Sequence, residues 1–231
     1  MSRAWPILAG LILSGCMTLE QPPTPAPVDA GPRVSKAVAA RNFLTVLRRV
    51  EPVAEAECRA RMEVRNCDFN IVVDERAGQP PNAYQTLDKA GRPVIAFTTA
   101  LLAEARNQDE LAFIMGHEAA HHIRGHIPKT QQGAVAGAVV GGLLAKALGA
   151  GSAAIEQAQK LGGAVGARGY SKKYELQADQ LGTIIAVRAG YDPVRGAAFF
   201  TRIPDPGNQF LGSHPPNAER IETVKRTVAN M

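Results

Sequence analysis

Two histidines that stand four residues apart, with a glutamate directly after the first, constrain this chain more than any other feature. The segment reads His117-Glu118-Ala119-Ala120-His121. In an α-helix, residues four apart lie about 40° apart around the axis and about 6 Å apart along it, so both imidazoles can reach one metal ion. Glu118 then points toward the open side of that ion, where a general base can take a proton from water. The pattern therefore predicts a helix that carries a metal site.

The residues around this segment favour a helix that ends soon after it. Asn107 or Asp109 can cap the N-terminus, and apolar residues recur at helical spacing from Leu111 onward. A stop is predicted at Gly125 and Pro128. We therefore place the two histidines on the last turns of an amphipathic helix.

A second pair of histidines, His122 and His126, also stands four residues apart. Neither is followed by a carboxylate, and their side of the helix is rotated about 100° from that of His117. We interpret both as structural histidines that form hydrogen bonds near the end of the helix, where partial negative charge favours the imidazolium form.

A catalytic zinc ion needs a third protein ligand, and a helix predicted over 171–189 offers one. Its Glu175 and Asp179 stand four residues apart and share a face. Glu175 is the candidate ligand. Asp179 is the candidate acceptor for His117, because a metal-bound histidine usually gives its second N–H to a group that fixes its tautomer. The alternative is a solvated acidic pair balanced by the neighbouring lysines.

Together these motifs resemble peptidase family M48, a family of gluzincin metalloproteases with bacterial periplasmic members. The resemblance covers about residues 82–228 and rests on three separated motifs, at 116–121, at 175–179, and at 213–216 followed by Arg220. It implies a helix-dominated α+β fold of the gluzincin type. That fold is a single catalytic domain with a small sheet beside the helix that carries the two histidines.

The resemblance also implies an activity and the residues that perform it. The protein would be a zinc metalloendopeptidase with one Zn²⁺ per chain, bound by the two histidines of the first motif and by Glu175. Glu118 would be the general base. His214 would donate to the oxyanion formed during hydrolysis, and Arg220 would orient it or bind substrate. Without the resemblance, His214 reads as a turn histidine before two prolines.

The N-terminus resembles a bacterial lipoprotein signal peptide. Residues 1–3 form a short positive region, residues 4–13 are mostly apolar, and residues 13–16 resemble a lipobox that ends at Cys16. Cleavage before Cys16 would leave a thiol and an amine that carry acyl chains, and more than one chain holds a protein stably on a membrane. The apolar run is too short to span a bilayer as a helix. Because Met17 follows rather than aspartate, we expect an anchor in the outer membrane, facing the periplasm.

The two remaining cysteines, Cys58 and Cys67, form an even pair in a compartment expected to be oxidising. We predict that they form a disulfide, and the alternative is two buried free thiols. Neither is placed to act as a nucleophile or a zinc ligand.

The chain is predicted to divide into three parts. Residues 1–15 are the signal peptide, residues 16–33 carry the lipidated cysteine and a proline-rich tether, and residues 34–231 form one zinc metallopeptidase domain.

Within that domain, a helix is expected over 34–61, interrupted or restarted at Pro52. Thr98 or Thr99 can cap another helix that continues through Glu104. Strands are expected over 69–73 and 93–97, and residues 82–84 are expected to begin a short strand or a turn between them.

Residues 133–169 are rich in glycine and alanine. We favour a helical hairpin of small residues packed beside the active site, or a mobile lid over it. A transmembrane helix is disfavoured because Lys146 lies inside the segment, and direct membrane contact is the alternative.

Charge and composition exclude one class of partner. The net charge is +5 and aromatic residues make up 5% of the chain, without a basic stripe interleaved with aromatics, so no nucleic acid partner is expected. The resemblance and the location imply hydrolysis of misfolded or unassembled periplasmic and outer-membrane proteins. The expected partners are those unfolded proteins, the membrane through Cys16, and an envelope assembly complex. The alternative is a client-binding, chaperone-like or assembly-complex lipoprotein with gated or vestigial protease activity.

Overall fold

The described part of the chain is mostly helical. The computed structural model describes residues 32–61, 66–168, 171–204 and 215–231. The helices are α1 (Lys36–Arg61), α2 (Thr99–Glu104), α3 (Gln108–Arg124), α4 (His126–Ala147), α5 (Ser152–Arg168), α6 (Ser171–Arg188), α7 (Pro193–Ala197) and α8 (Asn217–Ala229), with a 3-10 turn at Ala198–Thr201. The strands are β1 (Asn70–Asp74), β2 (Ala83–Leu87) and β3 (Pro93–Thr98). The predicted helix-dominated α+β fold is confirmed.

The three strands form one sheet in the order β1-β3-β2. β3 pairs in parallel with β1 and antiparallel with β2, so that Phe97 lies opposite Val73 on one side and Ala83 on the other. β-Branched and aromatic residues suit a central strand, and the Ile95 and Phe97 side chains are buried. β2 is an edge strand, and its outer edge has no strand partner among the described residues.

Helix α3 lies in the interior of the fold. It packs against α1, α6 and α7, and the side chains of Leu111, Phe113, Met115, Ala119 and Ala120 are buried. Apolar residues on most sides of a helix are typical of such a central position. The two histidines at its C-terminal end are therefore held by a well-packed element.

The ends of α2 and α3 follow the sequence prediction in all but one respect. Thr98 caps α2, the Asn107 side chain caps α3, and Gly125 ends α3 with a left-handed φ of 65°. Pro128, however, does not end the helical region. It lies in the first turn of α4, where a backbone N–H has no intrahelical partner to lose, so proline is tolerated.

The interruption predicted at Pro52 is also wrong, because α1 continues through that residue. Val46 and Val50 before the proline and Ala54 and Cys58 after it are all buried and continue one apolar stripe. Packing of this stripe against the core offsets the hydrogen bond that the proline removes.

Helices α4 and α5 form the predicted hairpin of small residues. Gly133 and Gly137 of α4 lie against Gly166 and Gly162 of α5, so closely that a Cβ atom at any of the four would clash with the opposite backbone. The two helices pack mainly on each other. In the described ranges, no helix combines the length and the apolar character needed to cross a membrane.

Cys58 at the end of α1 and Cys67 before β1 form the predicted disulfide, with Cα atoms 5.7 Å apart. Other predictions concern residues outside the described ranges. These are the signal peptide, Cys16 and most of the tether, within residues 1–31, and also His214.

Candidate metal centre

The last turns of α3 and the first turns of α6 meet at a cluster of three side chains, which we call the ligand cluster. His117 Nε2 lies 3.0 Å from His121 Nε2. Glu175 Oε2 lies 3.4 Å from His117 Nε2, and Glu175 Oε1 lies 3.3 Å from His121 Nε2. The three residues could together hold one metal ion.

The spacing of these atoms fits zinc. Zinc binds histidine nitrogen and carboxylate oxygen at about 2.0–2.2 Å in tetrahedral geometry, which separates neighbouring ligand atoms by about 3.3–3.6 Å. The observed separations of 3.0 to 3.4 Å are close to that range. Two imidazoles and one carboxylate, without a thiolate, are also a donor set that zinc enzymes use.

A close contact between two glycines brings α3 and α6 together. A Cβ atom at Gly116 would lie 2.8 Å from the carbonyl oxygen of Gly182, and a Cβ atom at Gly182 would lie 2.7 Å from the backbone nitrogen of His117. Only glycine at both positions permits this approach. Because Glu175 and Asp179 lie about two turns and one turn before Gly182, both face His117. The spacing of Gly116 and Gly182 in the sequence does not predict this contact.

The structure places Asp179 behind His117. Asp179 Oδ1 lies 2.9 Å from His117 Nδ1, so this nitrogen donates its hydrogen to the carboxylate while Nε2 faces the ligand cluster. Asp179 is completely buried. Arg220 donates two further hydrogen bonds to the Asp179 carboxylate, from Nε to Oδ2 at 2.8 Å and from Nη2 to Oδ1 at 2.7 Å.

These contacts favour positive charge at His117. Burial lowers the pKa of His117, but hydrogen bonds with Asp179 and then Glu175 raise it by more, to about 10. For Asp179, burial is outweighed by the charge and hydrogen bonds of Arg220, which hold the pKa of this carboxyl below its usual value. Asp179 and Glu175 thus stabilise a positive charge beside His117. A metal ion bound at the ligand cluster would supply that charge in place of the proton.

Arg220 reaches from α8 to the edge of the ligand cluster. Its Nη2 lies 3.6 Å from Glu175 Oε2, and its Cζ lies 3.9 Å from the ring centroid of Phe200. The Arg220 side chain therefore contacts Asp179 at one end and the ring of Phe200 along its face. His214, which the sequence analysis pairs with Arg220, lies outside the described residues.

His126 contacts the ligand cluster from the other side. Its Nδ1 lies 2.9 Å from His121 Nδ1, its Nε2 lies 3.2 Å from Gln177 Oε1, and its ring stacks on Tyr174. The position of His126 in the sequence does not predict its contact with Gln177, because the two residues lie on different helices.

The expectation that His126 favours the imidazolium form is wrong. Burial, followed by the charge of His121, lowers the pKa of His126 to about 3. The residue begins α4 rather than ending α3, so it stands at the positive end of a helix. His122 is structural, as predicted, with Nε2 2.8 Å from the carbonyl oxygen of Asn66.

The ligand cluster opens into a cleft of about 600 Å³. Glu118 is half-buried and lines this cleft. Residues 83–85 of the edge strand β2 form part of the wall, and Phe113, Phe199 and Ile203 make another part apolar. A second cleft of about 420 Å³ shares Gln85 with the first, so open space continues along β2 past the candidate metal site.

Comparison with known proteins agrees with this geometry. A family model described as Peptidase family M48 matches residues 41–228. A protein of Vibrio cholerae named "Putative beta-barrel assembly-enhancing protease" is 33% identical over 119 residues, which cover 48% of this chain. The match spans 24% of the length of that relative.

Proposed function

The chain belongs to peptidase family M48, whose members are metal-dependent, and we propose that it is a zinc endopeptidase of the bacterial envelope. The observation that carries this proposal is the convergence of His117, His121 and Glu175 on one point, with Glu118 in the same cleft. Metal-dependent hydrolysis of a peptide bond needs these parts, namely a metal site, a general base and room for a polypeptide.

In this proposal Glu118 moves the proton. Zinc, when bound, supplies Lewis-acid polarisation of a carbonyl group and lowers the pKa of water. Glu118 takes a proton from water while the water oxygen forms a bond to the carbonyl carbon. Glu118 then gives that proton to the amide nitrogen as the C–N bond breaks. Asp179 keeps the Nδ1 hydrogen of His117 in place, which leaves Nε2 free to act as a ligand. His214, oriented by Arg220, is the proposed donor to the oxyanion.

An extended substrate would lie along β2. A peptide can add to the exposed edge of a sheet through main-chain hydrogen bonds, and the two clefts follow this edge past the ligand cluster. The apolar wall at Phe113, Phe199 and Ile203 favours apolar side chains. Segments that are both extended and apolar are what unfolded proteins expose.

We propose that the enzyme works at the periplasmic face of the outer membrane. Acyl chains on Cys16 would anchor it after removal of residues 1–15, residues 16–33 would be the tether, and residues 34–231 the catalytic domain. The disulfide supports an oxidising compartment. The name of the Vibrio cholerae relative supports misfolded or unassembled outer-membrane and periplasmic proteins as substrates, and an envelope assembly complex as a partner.

A second candidate function is a client-binding, chaperone-like or assembly-complex lipoprotein with gated or vestigial hydrolysis. The exposed apolar surface of the α4–α5 hairpin favours it, because such surfaces bind unfolded chains. Glu118 counts against it, because a binding protein needs no general base in its cleft.

The test measures zinc content and cleavage together. A chain of residues 17–231 keeps every described residue and lacks Cys16. We expect one zinc per chain and internal cuts in a chemically unfolded protein, identified by mass spectrometry of the fragments. Glu118→Gln should keep the zinc and lose cleavage by about 10²-fold or more, because the general base is removed while the ligands remain.

Glu222→Gln is the matched control, because this glutamate is exposed on α8, and its activity should equal that of the wild type. One zinc with no cleavage by wild-type protein would favour the binding function. Equal cleavage by wild type and Glu118→Gln would overturn the mechanism.

A further inference from the structure

The α4–α5 hairpin carries most of the exposed apolar side chains of the described residues. Twelve large hydrophobic side chains are exposed in those ranges, and eight of them lie between residues 135 and 165. Val139, Leu143 and Leu161 are examples, with exposed fractions of 54, 62 and 66%. Exposed apolar residues that are scattered singly are ordinary, but a concentration on one element marks an interaction surface.

The packing inside the hairpin is the reverse of what water favours. The closest contacts at its interface are between glycines, Gly137 against Gly162 and Gly133 against Gly166, while exposed valines and leucines point outward. In water, a hairpin gains stability by placing its large apolar residues between the helices. Small residues inside and large apolar residues outside are typical of helices surrounded by lipid.

Three of the exposed apolar residues share one side of the hairpin. Counted at 100° per residue from Gly137, which faces α5, Val140 and Leu143 fall on one side of α4. The same count from Gly162 places Leu161 on that same side, because the two helices are antiparallel. Glu156 and Lys160, which form an ion pair of 2.7 Å, fall on the opposite side of α5.

The charges of the hairpin suit an anionic surface. Residues 130–145 contain no charged side chain. The segment 126–168 has four basic residues, Lys129, Lys146, Lys160 and Arg168, and one acidic residue, Glu156, which gives a net charge of +3. Lys129 and Lys146 stand directly before and after the uncharged stretch. Basic residues that border an apolar face are attracted to anionic lipid headgroups.

The apolar side is too short to cross a bilayer. Residues 135 to 148 span about 20 Å of helix, against about 30 Å of hydrocarbon in a membrane. A face of this length can lie in the plane of the membrane and bury its side chains to the depth of the headgroup boundary.

We propose that the α4–α5 hairpin docks its apolar side into the surface of a membrane that contains anionic lipid. The contact is separate from any acyl chain on Cys16. Because α4 begins at His126, beside the ligand cluster, the hairpin would also fix the height of the cleft above the membrane.

The first test is flotation of the 17–231 chain with vesicles of phosphatidylcholine, with and without phosphatidylglycerol. Wild-type protein floats with the anionic vesicles, and added salt weakens the binding. Leu143→Ser/Leu161→Ser lowers the partition coefficient about tenfold or more, because two side chains no longer leave water. Leu44→Ser is the matched control, since Leu44 is exposed on α1, and it floats like wild type. Circular dichroism establishes that the serine variants are folded.

The second test locates the contact. The 17–231 chain contains no tryptophan, because the only one is Trp5, so an introduced tryptophan is the only one that emits. Tryptophan emission of Leu143→Trp shifts to the blue and is quenched by brominated lipid. Emission of Glu156→Trp, on the opposite side of the hairpin, is neither shifted to the blue nor quenched by brominated lipid.

Three results would overturn the proposal. The first is wild-type protein that does not float. The second is equal flotation of wild type and the double serine variant. The third is a blue shift of Leu143→Trp that needs no vesicles and grows with protein concentration, which would make a second copy of the chain the occupant of this face. None of these results affects the zinc and cleavage assays, so the two proposals fail separately.

Discussion

His126 and His121 face each other through their Nδ1 atoms, 2.9 Å apart. On its other side, His126 Nε2 lies 3.2 Å from Gln177 Oε1, which can only accept a hydrogen bond. His126 Nε2 must then carry a hydrogen, so neutral His126 accepts at Nδ1 from His121. His121 in turn keeps its Nε2 lone pair free toward Glu175 and His117. Gln177 thus sets the tautomer of a candidate zinc ligand through an intervening histidine.

The first prediction concerns this relay. Gln177→Leu keeps the volume of the side chain but removes the acceptor, so His121 loses the group that fixes its tautomer. We expect zinc affinity to fall by about 10- to 100-fold, as for other groups that orient metal ligands. Competition with a chromophoric chelator measures this change.

Gln177→Glu is the matched control, because a carboxylate still accepts from His126, and its zinc affinity should stay near that of wild type. Equal zinc affinity of Gln177→Leu and wild type would show that the relay has no effect on the metal site.

The second prediction separates the two roles of Asp179. Asp179→Asn removes the partner of Arg220, which is buried, so the free energy of unfolding of the zinc-free protein should fall by about 3–5 kcal/mol. Zinc affinity should fall as well, because His117 loses its carboxylate acceptor.

The double variant Asp179→Asn/Arg220→Met provides the control. Removing the unpaired cation should restore most of the stability, while zinc affinity stays low. If zinc affinity recovers together with stability, Asp179 acts on the metal site only through folding.

The spacing of His117, Glu118 and His121 predicts a helix, and Glu175 is predicted to reach them from a second helix. The structure contains both helices, and His117, His121 and Glu175 form a cluster that could bind a metal ion. Such local patterns can be read from the sequence because a helix fixes the relative positions of residues four apart, whatever packs around it. Gly182 and Gln177 were not predicted, because their roles depend on which helix packs beside α3, and that is decided by tertiary contact. The continuation of α1 through Pro52 was missed for the same reason, since burial on both sides of the proline outweighed its local preference.

The third prediction concerns the disulfide. Cys58 and Cys67 lie nine positions apart in the sequence and close a short loop. Reduction should lower the free energy of unfolding by about 2–3 kcal/mol through the greater entropy of the unfolded chain. Urea unfolding with and without dithiothreitol measures the difference. Cys58→Ser/Cys67→Ser should not respond to the reductant. Zinc affinity should be unchanged, because the ligands lie on α3 and α6, and loss of zinc on reduction would contradict this.

The fourth prediction is a pH dependence at the sheet. Hydrogen bonds from Arg76, aided by one from Tyr84, hold the pKa of Asp74 well below its usual range. A carboxyl with a lowered pKa in the folded state stabilises the protein above its unfolded pKa of about 3.9, and that contribution is lost as pH falls below this value. The difference in urea midpoint between wild type and Asp74→Asn should therefore be present at neutral pH and shrink progressively below about pH 4. A difference that is constant with pH would assign the effect to packing.

The fifth prediction tests the contact that brings the two motifs together. A Cβ atom at Gly182 would meet His117 backbone nitrogen at 2.7 Å and His117 Cα at 2.9 Å, and neither atom can move without shifting α3. Gly182→Ala should therefore push α6 away from α3 and carry Glu175 out of reach of the histidines.

Helix propensity alone would make Gly182→Ala more stable by about 1 kcal/mol. Overpacking instead predicts a loss of about 1–3 kcal/mol in the free energy of unfolding, so the sign of the change decides between the two. We also expect the variant to lose zinc affinity, measured by chelator competition. Gly151→Ala is the control, because a Cβ atom there would meet no atom within 4 Å, and both its stability and its zinc affinity should stay close to those of wild type. If Gly182→Ala bound zinc like wild type, the glycine contact would not be what positions Glu175.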